Sequence, residues 1–155
     1  MPAPYVVDTS IWIRVGREHP QDIFRSLWQK LDDAIASGDL VSPEEVLREL
    51  ERGEDELAVA LARRPGLFVP LDDAQMVAVS EVVQSCRGLV SASAERGRAD
   101  PFVVALARVR SGTVVTGERP RRGSNAPFRI PDACAFFGIP WVDWFGFLRE
   151  VGWQL

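Results

Sequence analysis

Short apolar runs alternate with longer amphipathic stretches along the whole chain. The first run, YVVD at 5–8, reads as a buried strand that ends in Asp8. Helical material follows from about Ser10, with a break expected between Gly16 and Pro20. In QDIFRSLWQKLDDAIASG the apolar residues Ile23, Phe24, Leu27, Trp28, Leu31 and Ile35 recur at helical spacing, and Gly38 stands where the helix should stop. DLVS at 39–42 suits a second strand. SPEEVLREL then carries a helix-start pattern, with Ser42 as N-cap, Pro43 at the first helical position and Glu45 three residues after the cap. Val46, Leu47 and Leu50 form its apolar stripe.

EDELAVALARR (54–64) is a further helix, closed by Pro65 and Gly66. LFVPL (67–71) is a strand candidate, and Asp72 and Asp73 sit where a cap belongs, before the helical AQMVAVSEVVQSC. The pattern weakens between Arg87 and Arg98. ADPFVVALARVRSG is helical, with Pro101 in its first turn and Gly112 at its end. TVVT (113–116) reads as a strand, GERPRRGSNAPFR as a polar loop, IPDACAFFG (130–138) as a short helix, IPWVDW as a last strand and FGFLREVG as a terminal helix. There is no internal repeat. This alternation predicts an α/β fold whose parallel sheet is covered on both faces.

Composition narrows the class. The 155 residues suit one domain, expected to span 1–155. A hydrophobic share of 46% and a charged share of 26% are those of a soluble globular protein. No long uncharged apolar run suggests a membrane helix. Asp8 interrupts the N-terminal apolar stretch too early for a signal peptide, so a cytoplasmic protein is expected. Cys86 and Cys134 lack metal-ligand spacing and give no reason to expect a disulfide. A net charge of −4 provides no general attraction to nucleic acid. Arginine supplies almost all the positive charge, Lys30 being the exception.

The positions of the acidic residues point to chemistry. In an open α/β sheet, ligands bind at the carboxyl ends of the strands. Asp8 sits at one such end and Glu118 just past another. Asp100 opens a helix whose N-terminus should face the same edge. Glu45 and Glu49, four apart, share one face of the helix after the second strand. Carboxylates from separate segments that meet on one rim repel each other unless a cation joins them, and hard oxygen donors suit Mg²⁺ or Mn²⁺. Such ions activate water and stabilise phosphoryl charge. With one histidine and no plausible Ser-His or Cys-His pair, this is the chemistry the chain best supports.

The ordered set VVDTSIW, VSPEEVLREL, ADPFVVALA and VVTGE resembles a PIN domain, the family of metal-dependent nucleases that includes the toxins of VapBC-type toxin–antitoxin pairs. The tail FRIPDACAFFGIPWVDW is most similar to a less-characterised PIN-like branch with an IPD-C element near the C-terminus. The resemblance implies a three-layer α/β/α fold with a central parallel sheet of four to five strands. It implies an endoribonuclease using Mg²⁺ or Mn²⁺, a homodimer, and an antitoxin that blocks the site, often with an arginine among the carboxylates. Matched residue by residue, it assigns Asp8, Glu49, Asp100 and Glu118 as catalytic and metal-holding. Glu118 stands where the family often has aspartate. Asp132 is a substitute or added ligand. Thr9, Ser10 and Thr116 are hydroxyls that support the carboxylates.

Each position also has a plainer reading. Asp8 and Asp100 suit helix starts, although Thr9 or Ser10 would cap the first helix equally well. Glu45 reads as the capping-box partner, and Glu49 could pair with Arg48 or Arg52. Glu118 could pair with Arg119, Arg121 or Arg122. Those three arginines are candidate contacts to an RNA backbone, or simply a solvated loop. His19 has no assigned role. Phe136, Phe137, Trp141, Trp144 and Phe145 read as core or dimer contacts rather than base-stacking platforms. A non-catalytic PIN-like nucleic-acid-binding or scaffold module is the alternative function. An aspartate-nucleophile phosphatase built on Asp8 would want a second carboxylate two residues on, where Ser10 stands.

Overall fold

The computed structural model describes residues 3–89 and 98–155. Most of the weakly patterned stretch between Arg87 and Arg98 therefore lies outside the described residues. In chain order the elements are β1 (Tyr5–Val7), α1 (Thr9–Glu18), α2 (Arg25–Ser37), β2 (Leu40–Pro43), α3 (Glu44–Glu51), α4 (Asp55–Ala62) and β3 (Phe68–Val69). They continue as α5 (Asp73–Ser85), α6 (Asp100–Arg110), β4 (Thr113–Val115), α7 (Ile130–Phe137), β5 (Trp141–Val142) and α8 (Trp144–Val151). The five strands form one parallel sheet in the order β3-β2-β1-β4-β5. Helices enclose it as a three-layer α/β/α fold, as the alternation of elements predicts.

The strand order fixes where a site can form. The chain moves from β1 through β2 to β3 in one direction, then returns to place β4 on the other side of β1. The order reverses between β1 and β4, and a crevice opens there at the carboxyl ends of the strands. Register pairs Val6 with Val114 and Val7 with Val115, so both strands end level. Asp8 follows β1 and Thr116 follows β4, on either side of that crevice.

The strands are short and almost wholly apolar because both sheet faces are covered. Val6, Val7, Val41, Val114 and Val115 are buried with Ile11, Trp12, Leu27, Leu31, Leu106 and Phe147. Exposed Met76, Val77 and Val83 on α5 stand apart from this core. Among the described residues no helix is long and apolar enough to cross a membrane.

Packing narrows one expectation and corrects two others. The break expected between Gly16 and Pro20 falls at the end of that range, because α1 runs through Gly16 to Glu18. A Cβ at Gly16 would lie 3.0 Å from a methyl of Leu57, so the glycine admits a close approach of α4 rather than ending the helix. The chain instead turns at His19–Phe24, and α2 begins at Arg25, leaving Ile23 exposed outside the stripe. The capping box at Ser42 is also absent, since Ser42 and Pro43 belong to β2. The Ser42 hydroxyl is fully buried, accepts from Trp12 Nε1 at 2.9 Å and donates to the Val7 carbonyl at 2.7 Å. Glu45 pairs with Arg48 instead of capping. Gly38 does end α2, in the left-handed conformation that glycine tolerates (φ 83°). Asp72 does cap α5, accepting from Gln75 N–H at 2.8 Å.

Candidate active site

Asp8 ends β1 and occupies the N-cap position of α1, yet its carboxylate makes no capping bond. It is 3% exposed. Its Oδ2 accepts from Ser10 Oγ at 2.8 Å and from Thr116 Oγ1 at 2.9 Å, joining the ends of β1 and β4. The Asp8 N–H donates to the Val115 carbonyl at 3.0 Å, which extends the ladder one step and aims the side chain past the sheet edge. Thr116 Oγ1 also accepts from the Glu118 N–H at 3.1 Å, and Ser10 Oγ accepts from the Gly117 N–H at 3.0 Å. The two hydroxyls thus fasten the turn after β4 against Asp8.

Glu49 reaches the same rim from the second turn of α3. Its Oε1 accepts from Thr9 Oγ1 at 2.5 Å, and its Oε2 faces the Ala99 N–H at 3.4 Å. Arg48 turns away from it to Glu44 and Glu45. Ala99 is the N-cap residue of α6, so Asp100 follows directly as its first residue. Glu118 Oε1 accepts from the Ile130 N–H at 3.3 Å, which ties it to the start of α7. Carboxyls from β1, α3, α6 and the β4–α7 loop therefore converge, although Asp8 and Glu49 are 41 positions apart in sequence and Asp8 and Glu118 are 110.

Their electrostatics show the convergence. Burial pushes the Asp8 carboxyl up, the Ser10 and Thr116 hydroxyls oppose that, and Glu49 adds to it. Asp100 is pushed up to about 9, by burial first and then by the charges of Asp8, Glu118 and Glu49. Glu118 is pushed up to about 7 by burial and Asp8, against the Ile130 N–H and the Arg129 charge, which lower it. A helix start favours the charged form of Asp100 by only about 0.3–1 kcal/mol. The rise from 3.8 to about 9 corresponds to roughly 7 kcal/mol against it, so burial and like charge win. Such a set of hard, mutually repelling oxygen donors matches a divalent cation in chemistry. Among the described residues, however, no three His, Cys, Asp or Glu side chains stand close enough together to enclose an ion as they are placed. Closure on a metal would require side-chain rotation.

Asp132 lies beside the rim, where its charge adds to the rise at Glu118, and its carboxylate is engaged by the loop. Its carboxylate accepts from the Arg121 N–H at 3.1 Å and the Arg129 N–H at 2.9 Å, pinning the entry to α7. Arg121 is likewise engaged within the loop. Its guanidinium lies over the Phe128 ring at 4.1 Å and donates to the Ala126 carbonyl at 3.0 Å. Arg119 and Arg122 are exposed. A separate cleft of about 600 Å³ opens at the opposite sheet edge, lined by Tyr5, Lys30, Phe147 and Trp153, and contains none of the clustered carboxyls.

Residues 5–155 match a family model described as a domain of unknown function, DUF4411. The chain belongs to this family. No curated protein matches the DUF4411 chain. Its fold is similar to that of a chain in the structure of VapBC-1 from nontypeable Haemophilus influenzae, at 15% identity over 91% of this chain and 98% of that one, with a TM-score of 0.53. It is also similar to a chain in VapBC2 from Rickettsia felis bound to a DNA fragment from their promoter. There the identity is 15% over 90% of this chain and 98% of that one, with a TM-score of 0.51. The PIN-like fold expected from the ordered motifs is thus the fold observed.

Several contacts around the DUF4411 rim were not legible in sequence. Arg129, whose charge lowers Glu118, ends the basic loop that drew attention to Arg119, Arg121 and Arg122. The backbone donors at Ala99 and Ile130 leave no sequence signal. Cys134, buried and unbridged, is pushed up to about 12 by burial, Cys86, Asp8 and Glu118, which makes it an inert neighbour of the rim.

Proposed function

We propose that this protein is a metal-dependent endoribonuclease and the toxin of a type II toxin–antitoxin pair. The observation that carries this reading is the convergence of Asp8, Glu49, Asp100 and Glu118 at the crevice between β1 and β4. These four residues would hold Mg²⁺ or Mn²⁺, which when bound supplies a Lewis acid for phosphodiester hydrolysis. The similarity to chains of two VapBC structures supports the toxin assignment through fold.

The remaining groups have distinct tasks. Ser10 and Thr116 fix one oxygen of Asp8 and leave the other for a ligand. Thr9 orients Glu49. Glu118, pushed up to about 7 in the metal-free chain, gives up a proton near neutral pH, so it is available as a ligand there. Arg119 and Arg122 contact the RNA backbone, while Arg121 and Asp132 shape the loop that presents them. A cytoplasmic antitoxin placing a guanidinium among the carboxylates would make charge-assisted hydrogen bonds there. The exposed Met76, Val77 and Val83 face of α5 offers a surface for a homodimer.

Purified protein is expected to cleave RNA with Mg²⁺ or Mn²⁺, to stop with EDTA, and to lose activity in Asp8→Asn and Asp100→Asn. Cleavage that survives both substitutions would overturn the reading. A non-catalytic nucleic-acid-binding module is the second reading, favoured by carboxyls that do not close into metal-ligating geometry. RNA binding without cleavage under any divalent cation would establish it.

A further inference from the structure

A row of three aromatic rings with a guanidinium at each end leads away from the carboxylate rim along α7. Arg121 lies 4.1 Å over Phe128, whose ring meets Phe136 edge to face at 6.4 Å. Phe136 meets Phe137 edge to face at 4.9 Å, and Arg108 lies 4.3 Å over Phe137 while paired with Glu81 at 2.9 Å. Phe136 stands in the middle of this row and is 58% exposed, so of the two places expected for it, core or dimer contact, the core is excluded. Two neighbours crossed at 74° hold its ring, and much of its surface remains in water. A fixed exposed aromatic loses little conformational freedom when something stacks on it.

We propose that Phe136 is a stacking platform for an unpaired base of the RNA whose backbone enters the carboxylate rim. This rests on the nuclease reading and adds a binding residue to it. Continuity supports it, because α7 begins at Ile130, whose N–H bonds Glu118, and Phe136 lies six residues on, about 9 Å along the axis. Charge supports it as well. Arg119, Arg122 and Arg129 are exposed in the loop that leads into α7, so positive charge is concentrated locally in a chain whose net charge is −4. A second copy docked here across a two-fold axis would bring the same arginines towards each other, whereas a phosphate backbone complements them. Base–aromatic stacking also tolerates any base, which suits a platform whose neighbours in the row are other rings.

The test is binding of a fluorescent mixed-sequence single-stranded RNA carrying 2-aminopurine, and of the same strand in a duplex, to full-length protein in the Asp8→Asn background with Mg²⁺. Phe136→Ala should weaken single-strand binding by about 5- to 150-fold and relieve 2-aminopurine quenching. Duplex binding should be unaltered, and Phe136→Trp should retain both affinity and quenching. Equal single-strand affinity for Phe136→Ala would overturn the platform. So would conversion of a dimer to a monomer by Phe136→Ala in light scattering, which would assign the row to a second copy. The nuclease reading is judged separately, by metal-dependent cleavage in the Asp8-containing protein. Cleavage with a Phe136-independent affinity sinks the platform alone, whereas Phe136-dependent binding without cleavage sinks the nuclease reading alone.

Discussion

Asp100→Asn removes an ionisable group while keeping its shape, and its effect can be worked from the site. In the folded chain the Asp100 carboxyl is pushed up to about 9 from an ordinary 3.8. Between those values the folded chain keeps a proton that the unfolded chain has released. The stabilisation is complete below the unfolded value and is lost as the pH rises through the folded value. By pH 7 the loss amounts to at most about 4 kcal/mol, the part of the span between 3.8 and 7. Asparagine carries no such dependence. Metal-free Asp100→Asn should therefore be more stable than the parent at pH 7, by up to about 4 kcal/mol. For a chain of this size that is a melting shift of about 8–16 °C. The advantage should shrink towards pH 4. Urea unfolding in EDTA at pH 4, 5.5 and 7 measures it directly. A variant that is destabilised at pH 7, or whose advantage does not change with pH, would refute the reasoning. The same substitution should abolish RNA cleavage, a gain in stability at the expense of a strained functional site.

Three further outcomes follow from the same geometry. Because Glu118 is pushed up to about 7 and Asp100 to about 9, a divalent cation must displace their protons, so Mn²⁺ affinity should rise about tenfold per pH step for each proton displaced. Calorimetry in buffers of different ionisation enthalpy reads the protons released, and a flat profile between pH 6 and 9 would contradict it. Asp132→Ala should cost about 1–2 kcal/mol by freeing the Arg121 and Arg129 N–H groups, yet reduce cleavage less than Asp8→Asn does; thermal melts and RNA cleavage rates on both variants decide this. Ser42→Ala should cost about 1–3 kcal/mol in urea unfolding, since it strands the buried Trp12 N–H and the Val7 carbonyl.

Local pattern alone determined much of this protein. Apolar runs such as YVV and TVV, separated by amphipathic stretches, dictate buried parallel strands with helices between them, because a sheet covered on both faces must be apolar on both. The acidic residues at strand and helix ends were legible as well, because in a parallel sheet those ends share one edge, although each residue alone also suits a helix start. What the sequence lacked was distance. Gly16 looked like a helix breaker until Leu57 of α4 was found against it, and Ser42 looked like a cap until Trp12 and Val7 claimed its hydroxyl. Asp132 reads in sequence as a substitute or added ligand, and only the folded loop shows that its carboxylate takes the Arg121 and Arg129 amides while its charge reaches Glu118. Phe136 reads in sequence as a core or dimer contact, and only the packing of α7 shows that it is turned outward. Strand order is likewise a tertiary property. Only the return of β4 to the side of β1 brings Thr116 within 2.9 Å of Asp8, and with it Glu118, so that carboxyls remote in sequence come to repel one another at a single rim.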